Sequence, residues 1–235
     1  MRDFSPEEKR NLLRNHILLQ ALSDDELDRL ARYSRTRELE PGELIFRKGD
    51  PGDSMAVVID GRVVIGSTSI EGKELVLNII HSGDVLGEIA FIDGEDRTAD
   101  AKALEKTEIL VLERRHFLPL LEDRQQLAME LLGVLCKRLR NTTDQIEDTA
   151  FYELKIRLAR KLVSFAEHYG ADDGEAEHVA LPVNQSELGA MLNATRESVN
   201  RQLRELVKDE LIELKQGAIT ITDRDGLEDL AEGLA

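Results

Sequence analysis

The spacing of apolar residues changes twice along the chain, and each change marks a new kind of element. From about residue 39 to residue 112, short β-prone apolar runs follow one another. Glycine turns separate these runs at equal intervals, at Gly61, Gly72, Gly83 and Gly94. Short strands repeated about every 8 to 12 residues between such turns predict a small antiparallel sandwich or barrel. The preceding residues 12–33 have helical periodicity, with Ser23 placed to cap a helix.

From about residue 116 the apolar period becomes helical. Six residues step alternately three and four positions and form a heptad seam: Leu132, Leu135, Leu139, Thr142, Ile146 and Thr149. One interpretation is a core helix that lies on the sheet. Because the stripe is narrow and the helix is otherwise polar, we favour a partner helix, most simply the same helix of a second copy. A further helix is predicted over 152–169, and an acidic flexible loop over 170–178.

The last third of the chain predicts two short helices and a hairpin. Asn184 precedes Glu187 by three positions, which is a capping-box pattern. After a short break, Thr195 is placed to cap the second helix. Residues 211–222 then alternate between apolar and polar positions around a Gln-Gly turn. Helix, tight turn, helix and β-wing is the order of a winged helix-turn-helix.

Composition and charge exclude several classes of protein. The chain carries 47 acidic and 31 basic residues, a net charge of −16. This charge argues against nonspecific coating of nucleic acid or anionic membranes, but it allows a local basic face. Apolar runs stay shorter than the roughly 18 to 20 residues of a membrane span, and the amino terminus lacks a secretory segment, so we expect a cytoplasmic protein. Cys136 is the only cysteine and the five histidines are scattered, so no disulfide framework, thiolate zinc site or iron–sulfur cluster is expected within one chain.

One predicted helix has a basic surface in this acidic background. Bases outnumber acids within 195–208, although 151–235 is acidic as a whole. Five polar residues gather at the amino-terminal half of this helix: Thr195, Arg196, Glu197, Asn200 and Arg201. Guanidinium, amide and carboxylate groups there would meet base edges in a major groove, and the helix amino terminus would hold a backbone phosphate. The alternative is an amphipathic helix with a solvated face; the capped first helix, the short turn and the wing favour DNA binding.

The stretch GEIAFIDGEDRTA, residues 87–99, places one arginine directly behind three acids. Gly87 allows close backbone approach to a ligand, and exposed N–H groups at the start of the next turn attract an anion. Arg97 would then form a bidentate pair with two phosphate oxygens. Glu88 suits a sugar hydroxyl as an acceptor.

The neighbours of this stretch extend the same chemistry. Thr98 adds a hydroxyl donor, and the small Ala99 lets the next backbone group come near. An apolar wall for a base would come from Leu77, Ile80 and Ile89. Together these groups suit a ribose phosphate, which presents a phosphate and a hydroxyl a few ångströms apart. The alternative is a surface β-turn whose arginine balances Asp93 and its acidic neighbours. The residues alone do not favour either interpretation over the other.

Two stretches together resemble a known family. GEIAFIDGEDRTA resembles the phosphate-binding cassette of cyclic-nucleotide-binding domains. The short strands, the long helix and the later ATRESVNRQL resemble the CRP/FNR family of bacterial transcription regulators, in its cAMP receptor protein branch. The likeness runs from about residue 18 to residue 222. It implies an α+β fold with an N-terminal antiparallel β-roll over 1–115, a long dimerisation helix over 116–150 and a C-terminal winged helix-turn-helix over 151–235.

The resemblance also implies roles for individual residues. Its cassette glycine and glutamate match Gly87 and Glu88, its phosphate arginine matches Arg97, and its base-contacting pair on the long helix matches Thr142 and Thr143, one contact from each subunit. Its base-reading residues match Arg196, Glu197 and Arg201, which implies half-sites similar to TGTGA. Asn193 stands where the family has a turn glycine, and it tolerates left-handed backbone. Thr98 is similar to the choice of cGMP-preferring domains.

The resemblance therefore implies a homodimeric DNA-binding regulator switched by a 3′,5′-cyclic nucleotide, cAMP and possibly also cGMP, with double-stranded DNA and RNA polymerase as partners. It implies no catalytic residue, metal, haem, iron–sulfur cluster or membrane association. Two alternatives belong to other classes. One is a cyclic-nucleotide-binding regulatory subunit of an enzyme, which a solvent-facing Arg196 and Arg201 disfavour. The other is an enzyme that hydrolyses the nucleotide, for which no nucleophile–base pair or metal cluster is found in the sequence.

Overall fold

The structure, a computed structural model, describes residues 4–16, 19, 22–172, 177–179, 184–215 and 218–233. Its contacts divide the chain into two units, Met1–Arg140 and Asn141–Ala235. The boundary falls inside the helix that the sequence assigns to dimerisation.

Two short helices open the first unit: α1 (Pro6–Asn15) and α2 (Asp24–Tyr33). The predicted cap at Ser23 is confirmed, since the Glu26 carboxylate accepts from the Ser23 backbone N–H at 2.7 Å. The helical periodicity of 12–33 therefore belongs to two helices. Leu27 and Leu30 of α2 are buried in the core of this unit because they lie one turn apart on one face.

Strands and one short helix follow: β1 (Arg35–Leu39), β2 (Leu44–Phe46), β3 (Ser54–Asp60), β4 (Arg62–Thr68), β5 (Glu74–His81), β6 (Val85–Leu86), α3 (Glu88–Asp93), β7 (Asp100–Ala103) and β8 (Thr107–Glu113). One sheet has the order β1-β8-β3-β6 and the other β2-β7-β4-β5, with antiparallel pairing in both. Residues from both sheets, among them Leu39, Val63 and Ile109, share one apolar cluster. The predicted antiparallel β-roll is confirmed.

Two helices close the first unit, α4 (Arg114–Asp123) and α5 (Gln125–Phe151), where the sequence predicts one helix over 116–150. They meet at Arg124, whose backbone is not helical, with φ −127° and ψ 89°. The Arg124 guanidinium there donates to both carboxylate oxygens of Glu26 at 3.1 and 3.0 Å. A contact distant in sequence therefore supports the break.

Helix α5 leaves its heptad seam uncovered within one chain. Leu132, Leu139 and Ile146 are 51%, 68% and 65% exposed. The helix is 27 residues long, which corresponds to about 40 Å at the α-helical rise. None of the helices in the described part of the chain has both the length and the apolar character needed to cross a membrane.

The second unit contains the end of α5 and a helical domain with one sheet: α6 (Leu154–Tyr169), β9 (Gly170–Asp172), β10 (Glu177–Val179), α7 (Gln185–Met191), α8 (Arg196–Lys208), β11 (Ile212–Lys215), β12 (Ala218–Ile221) and α9 (Arg224–Glu232). The sheet order is β11-β12-β10-β9. Val199, Leu203 and Leu206 of α8 are buried, as the helical spacing predicts. The winged helix-turn-helix is confirmed; the tip of its wing, 216–217, lies outside the described residues.

The prediction of a flexible acidic link or loop over 170–178 is wrong at both ends of that segment, where strands are found, while residues 173–176 lie outside the described residues. Strand β9 pairs with β10, and β10 pairs with β12 of the wing. In this pairing Val179 is opposite Ile219. Short acidic strands of this kind have little apolar periodicity, so only the partner strand reveals them.

Candidate functional site

Helix α3 is a short turn held at both ends. Gly87 before it and Gly94 after it have left-handed backbone, each with φ 80°. A Cβ at Gly87 would lie 2.6 Å from Arg97 Nη1, so only glycine allows this approach. At the other end Arg114 Nε donates to the Phe91 carbonyl at 2.7 Å. Arg114 comes from the start of α4, and the sequence analysis missed it because the contact spans more than twenty residues.

Arg97 lies inside the protein, only 5% exposed. Its Nη1 donates to the Gly87 carbonyl at 2.8 Å, and its Nη2 donates to Ser54 Oγ at 3.1 Å. The guanidinium carbon lies 4.3 Å from the centroid of the Phe46 ring. Its Nε is buried and has no hydrogen-bond partner. The interpretation of Arg97 as a surface turn residue is therefore wrong.

The charge of Arg97 is buried among carboxylates. Burial lowers the pKa of Arg97, and Asp53, Glu88 and Asp50 oppose that shift. The Arg97 backbone is also fixed, because its N–H donates to the Asp50 carbonyl at 2.8 Å. One cation therefore lies beside three acids in a partly desolvated site, where an added anion interacts more strongly than it would in water.

Glu88 is the second buried ionisable residue of this region, with no exposed side-chain surface. Its Oε1 lies 2.7 Å from Arg138 Nη1, although neither carboxylate oxygen has a well-oriented hydrogen bond from another side chain. Arg138 Nη2 also donates to the Val85 carbonyl at 2.6 Å. Burial raises the pKa of Glu88, while Arg138, the Glu88 backbone N–H and Arg97 lower it. The net direction is upward.

Arg138 was missed by the sequence analysis, although the sequence contains a signal for it. It precedes Thr142 on α5 by four residues, so the two share one side of the helix. Thr142 and Thr143 are both exposed on α5 and belong to the second unit.

The other predicted pocket residues differ in exposure. Ala99 is buried. Leu77 and Ile89 are partly buried, and Leu77 packs against the apolar cluster shared by the two sheets. Thr98 is exposed. The structure therefore brings Gly87, the buried carboxylate of Glu88 and the buried guanidinium of Arg97 into one site. Thr98 follows Arg97 in the chain and is exposed.

The turn before α8 is tight and capped. Asn193 has left-handed backbone with φ 48°, and the Ala194 N–H donates to the Gly189 carbonyl at 2.9 Å. Thr195 then caps α8, its Oγ1 accepting from the Ser198 backbone N–H at 3.1 Å. The predicted caps at Thr195 and Asn184 are both confirmed.

A side chain of helix α6 contacts the residue just before this turn. Arg157 Nη1 donates to the Leu192 carbonyl at 2.7 Å, at the end of α7. This contact also escaped the sequence analysis, because it joins residues 35 positions apart. It supplies a donor for a carbonyl that the helix end leaves without an intrahelical partner.

The outer face of α8 is polar and accessible. Arg196, Glu197 and Arg201 are exposed, and Asn200 is partly exposed. Arg204, Glu205 and Lys208 continue the same surface toward the carboxyl end of the helix. The face carries cations, an amide and carboxylates, which are the groups that read base edges and hold phosphates.

Comparison with known proteins assigns a family to each of the two parts of the chain. Residues 36–124 match the cyclic nucleotide-binding domain family, and residues 156–230 match the Crp-like helix-turn-helix domain family. The chain is 30% identical over 197 residues to a CRP-like cAMP-activated global transcriptional regulator of Mycobacterium tuberculosis, covering 82% of this chain and 88% of the relative.

Two solved structures extend this likeness. A transcriptional regulator of the CRP/FNR family from Thermus thermophilus is 27% identical, with a TM-score of 0.67, covering 86% of this chain and all of the other. FixK2 from Bradyrhizobium japonicum has a TM-score of 0.74 at 21% identity, covering 84% and 96% of the two chains, and so supports the fold. Within the described residues no group of three or more His, Cys, Asp and Glu could hold a metal ion. The chain belongs to the CRP/FNR family of transcription regulators, as a member that binds cyclic nucleotide and DNA.

Proposed function

We propose that this protein is a homodimeric transcription regulator whose DNA binding is switched by cAMP, with cGMP as a second ligand. Its operator is a palindrome of TGTGA-like half-sites. In this proposal residues 1–115 bind the nucleotide, 116–150 form the dimer and 151–235 bind DNA. The observation that carries it is the buried Arg97, with a free Nε, beside the fully buried Glu88.

A cyclic phosphate suits the surroundings of Arg97. Its two terminal nitrogens now donate to a backbone carbonyl and a hydroxyl, which are neutral acceptors. A phosphate would replace them with charge-assisted hydrogen bonds, which are roughly twice as strong. The negative charge would also offset the buried cation, whose pKa burial lowers.

The ribose hydroxyl would be placed on Glu88. There it competes with Arg138 for the carboxylate, since Arg138 Nη1 lies 2.7 Å from Glu88 Oε1. Arg138 belongs to α5, so filling the pocket would change a contact made by that helix. The base would reach Thr142 and Thr143, one from each subunit, as the family resemblance implies.

The exposed seam of α5 supports the homodimer. Leu132, Leu139 and Ile146 repeat at heptad spacing and are more than half exposed. Two copies of α5 that pack as a coiled coil would bury this stripe. Dimerisation would also provide two recognition helices, which a palindrome requires.

The exposed face of α8 supports DNA recognition. Nucleotide binding would favour the dimer state in which the two helices lie about 34 Å apart, one turn of DNA. The acidic remainder of the domain disfavours arbitrary DNA. RNA polymerase would be recruited from the bound operator, in the cytoplasm.

Two features support the choice of nucleotide. The Mycobacterium tuberculosis relative is named as cAMP-activated, which supports cAMP. Thr98 follows Arg97 in the chain and is exposed. Its hydroxyl would be available to the amino group of guanine, which supports cGMP as a second ligand.

Calorimetry tests this proposal directly. Each nucleotide is titrated into the protein alone, with a TGTGA palindrome and with a scrambled duplex of equal length. We expect cAMP to bind most tightly, and the palindrome to tighten cAMP binding by the same factor as cAMP tightens operator binding. Absence of binding by both nucleotides, or equal effects of the two duplexes, would contradict the proposal. Binding without any effect of DNA would favour the regulatory-subunit alternative.

A further inference from the structure

One arginine in the second unit contacts three separate elements. Arg160 Nε of α6 lies 2.9 Å from Asp148 Oδ1 near the end of α5. Its guanidinium carbon lies 4.7 Å from the ring centroid of Tyr152, in the link between the two helices. Its Nη1 donates to the Ala231 carbonyl in the last turn of α9 at 3.4 Å. Arg160 therefore joins α5, the link and the C-terminal helix.

The acid in this contact is partly buried between two cations. Asp148 Oδ1 is shielded from solvent and has no well-oriented hydrogen bond. Lys161, beside Arg160 in the chain, also interacts with Asp148, while burial lowers the pKa of Lys161. The Lys161 ammonium lies 5.4 Å from the centroid of the Phe165 ring. The Arg160 and Asp148 side chains are 38% and 28% exposed, so solvent screens this pair only in part and its loss should change a larger interaction than loss of a fully exposed pair.

Helix α9 packs against α6 at the same place. It ends at Gly233, which has left-handed backbone with φ 78°. A Cβ at Gly233 would lie 3.9 Å from Ile156 Cδ1 of α6. The Arg160 hydrogen bond to Ala231 therefore connects the last turn of α9 to α6. We call the contacts of Arg160 with Asp148, Tyr152 and Ala231 the joint between α5 and α6, and the C-terminal helix is part of it.

Helix α6 also contacts the turn that leads into α8. Arg157 lies three residues before Arg160, so the two share one side of α6. Arg157 donates to the Leu192 carbonyl, just before the turn that leads into α8. Helix α6 thus carries both the contact with the end of α5 and the contact with the turn before α8.

We propose that Arg160 is a positioning residue that fixes the direction of α6 against the end of α5 and so determines how strongly nucleotide binding changes DNA affinity. Helix α9 is part of this joint. The inference rests on the proposed function, because α5 also carries Arg138, which contacts the buried carboxylate of the pocket. The contacts of Arg160 are with Asp148, Tyr152 and Ala231, none of which is a candidate nucleotide-binding or DNA-binding residue.

A double-mutant cycle tests the joint. The variants are Arg160→Gln, Asp148→Asn, their combination and the charge swap of Arg160→Asp with Asp148→Arg. For each protein the cAMP Kd is measured, and then the operator Kd without cAMP and at saturating cAMP. The readout is the ratio of the two operator constants.

We expect Arg160→Gln and Asp148→Asn to leave the cAMP Kd within about twofold of the wild type and to reduce the ratio about tenfold. The double variant should lose no more than either single variant, and the charge swap should regain part of the ratio. Arg35→Gln is the matched control, because Arg35 forms an exposed ion pair with Glu113 in the first unit and lies on none of α5, α6 and α9. Its ratio should equal that of the wild type.

The outcomes separate this inference from the proposed function. If cAMP does not change the operator affinity of the wild type, both the proposed function and the role of Arg160 are overturned. If the wild type responds and Arg160→Gln responds equally, only the role of Arg160 is overturned. A purely structural role would lower the unfolding temperature and weaken cAMP and operator binding together, and that result also overturns it. Should Arg160→Gln fail to fold, Asp148→Asn decides by the same ratio.

Discussion

The two candidate binding surfaces of this protein are built in opposite ways. At the nucleotide end, Glu88 and Arg97 are buried and already contact protein groups. At the DNA end, Arg196 and Arg201 lie exposed on α8. A ligand bound by Glu88 and Arg97 would therefore replace contacts within the protein, whereas DNA would reach Arg196 and Arg201 without such a change. We infer that the first surface suits a switch and the second suits recognition.

In both candidate binding surfaces, however, a short helix is stabilised at its carboxyl end in the same way. Helix α3 is followed by left-handed Gly94, and Arg114 donates to a carbonyl of its last turn. Helix α7 is followed by left-handed Asn193, and Arg157 donates to the carbonyl just before it. In each case an arginine distant in sequence stabilises the end of a short helix, where backbone carbonyls lack partners.

The largest effect is expected at the buried candidate nucleotide site. Arg97→Ala should weaken cAMP and cGMP about 100-fold, because it removes charge-assisted hydrogen bonds of about 1.5–3 kcal/mol each. It should leave nucleotide-free DNA binding unchanged. Calorimetry checks the first effect and fluorescence anisotropy the second. Arg37→Ala, at a more exposed arginine that pairs with Glu43, is the control, and wild-type affinity in Arg97→Ala would remove the pocket assignment.

The next effect is expected at the exposed end. Arg201→Ala should weaken the TGTGA operator by about 1–3 kcal/mol and have little effect on a scrambled duplex, because it removes a base contact. Arg204→Ala, farther along the same face, should weaken both duplexes equally and reduce the salt slope by about one charge, since phosphate contacts are not sequence-specific. Anisotropy titrations at several salt concentrations measure both. Equal losses on the two duplexes for Arg201→Ala would contradict base reading.

A smaller effect is expected from the support of the buried site. Arg114→Gln should weaken cAMP about five- to tenfold, because hydrogen bonds to the end of α3 contribute about 0.5–1.5 kcal/mol each. Arg115→Gln is the matched control, since Arg115 is the next residue and is largely exposed. Calorimetry of the two variants decides. If both bind cAMP as the wild type does, the end of α3 needs no support from α4.

The smallest effect is expected from the exposed Thr98 hydroxyl. Thr98→Ala should weaken cGMP by about fivefold, which corresponds to roughly 1 kcal/mol for one hydrogen bond, and should weaken cAMP less. Thr98→Ser, which keeps the hydroxyl, is the matched control and should retain the preference. Competition between the two nucleotides in one titration measures the ratio. Equal losses for both nucleotides would show that Thr98 does not read the base.

Features that depend on a few neighbouring residues could be predicted from the sequence. The caps at Ser23, Asn184 and Thr195 and the buried face of α8 lie where the spacing places them. Each arises within one or two helical turns, so local order is sufficient. The antiparallel β-roll and the wing could be predicted for the same reason, from regular turns and alternating residues.

Contacts between distant residues could not be predicted in this way. The sequence left Arg97 equally suited to a surface turn and a pocket, and only its position under Phe46 and beside Ser54 buries it. Nor did periodicity indicate that Arg138 reaches Glu88, or that β10 pairs with β12. The sequence by itself determined the local elements and the chemical groups available to them. The tertiary structure decided which groups are buried together, because burial and ion pairing depend on packing between segments far apart in the chain.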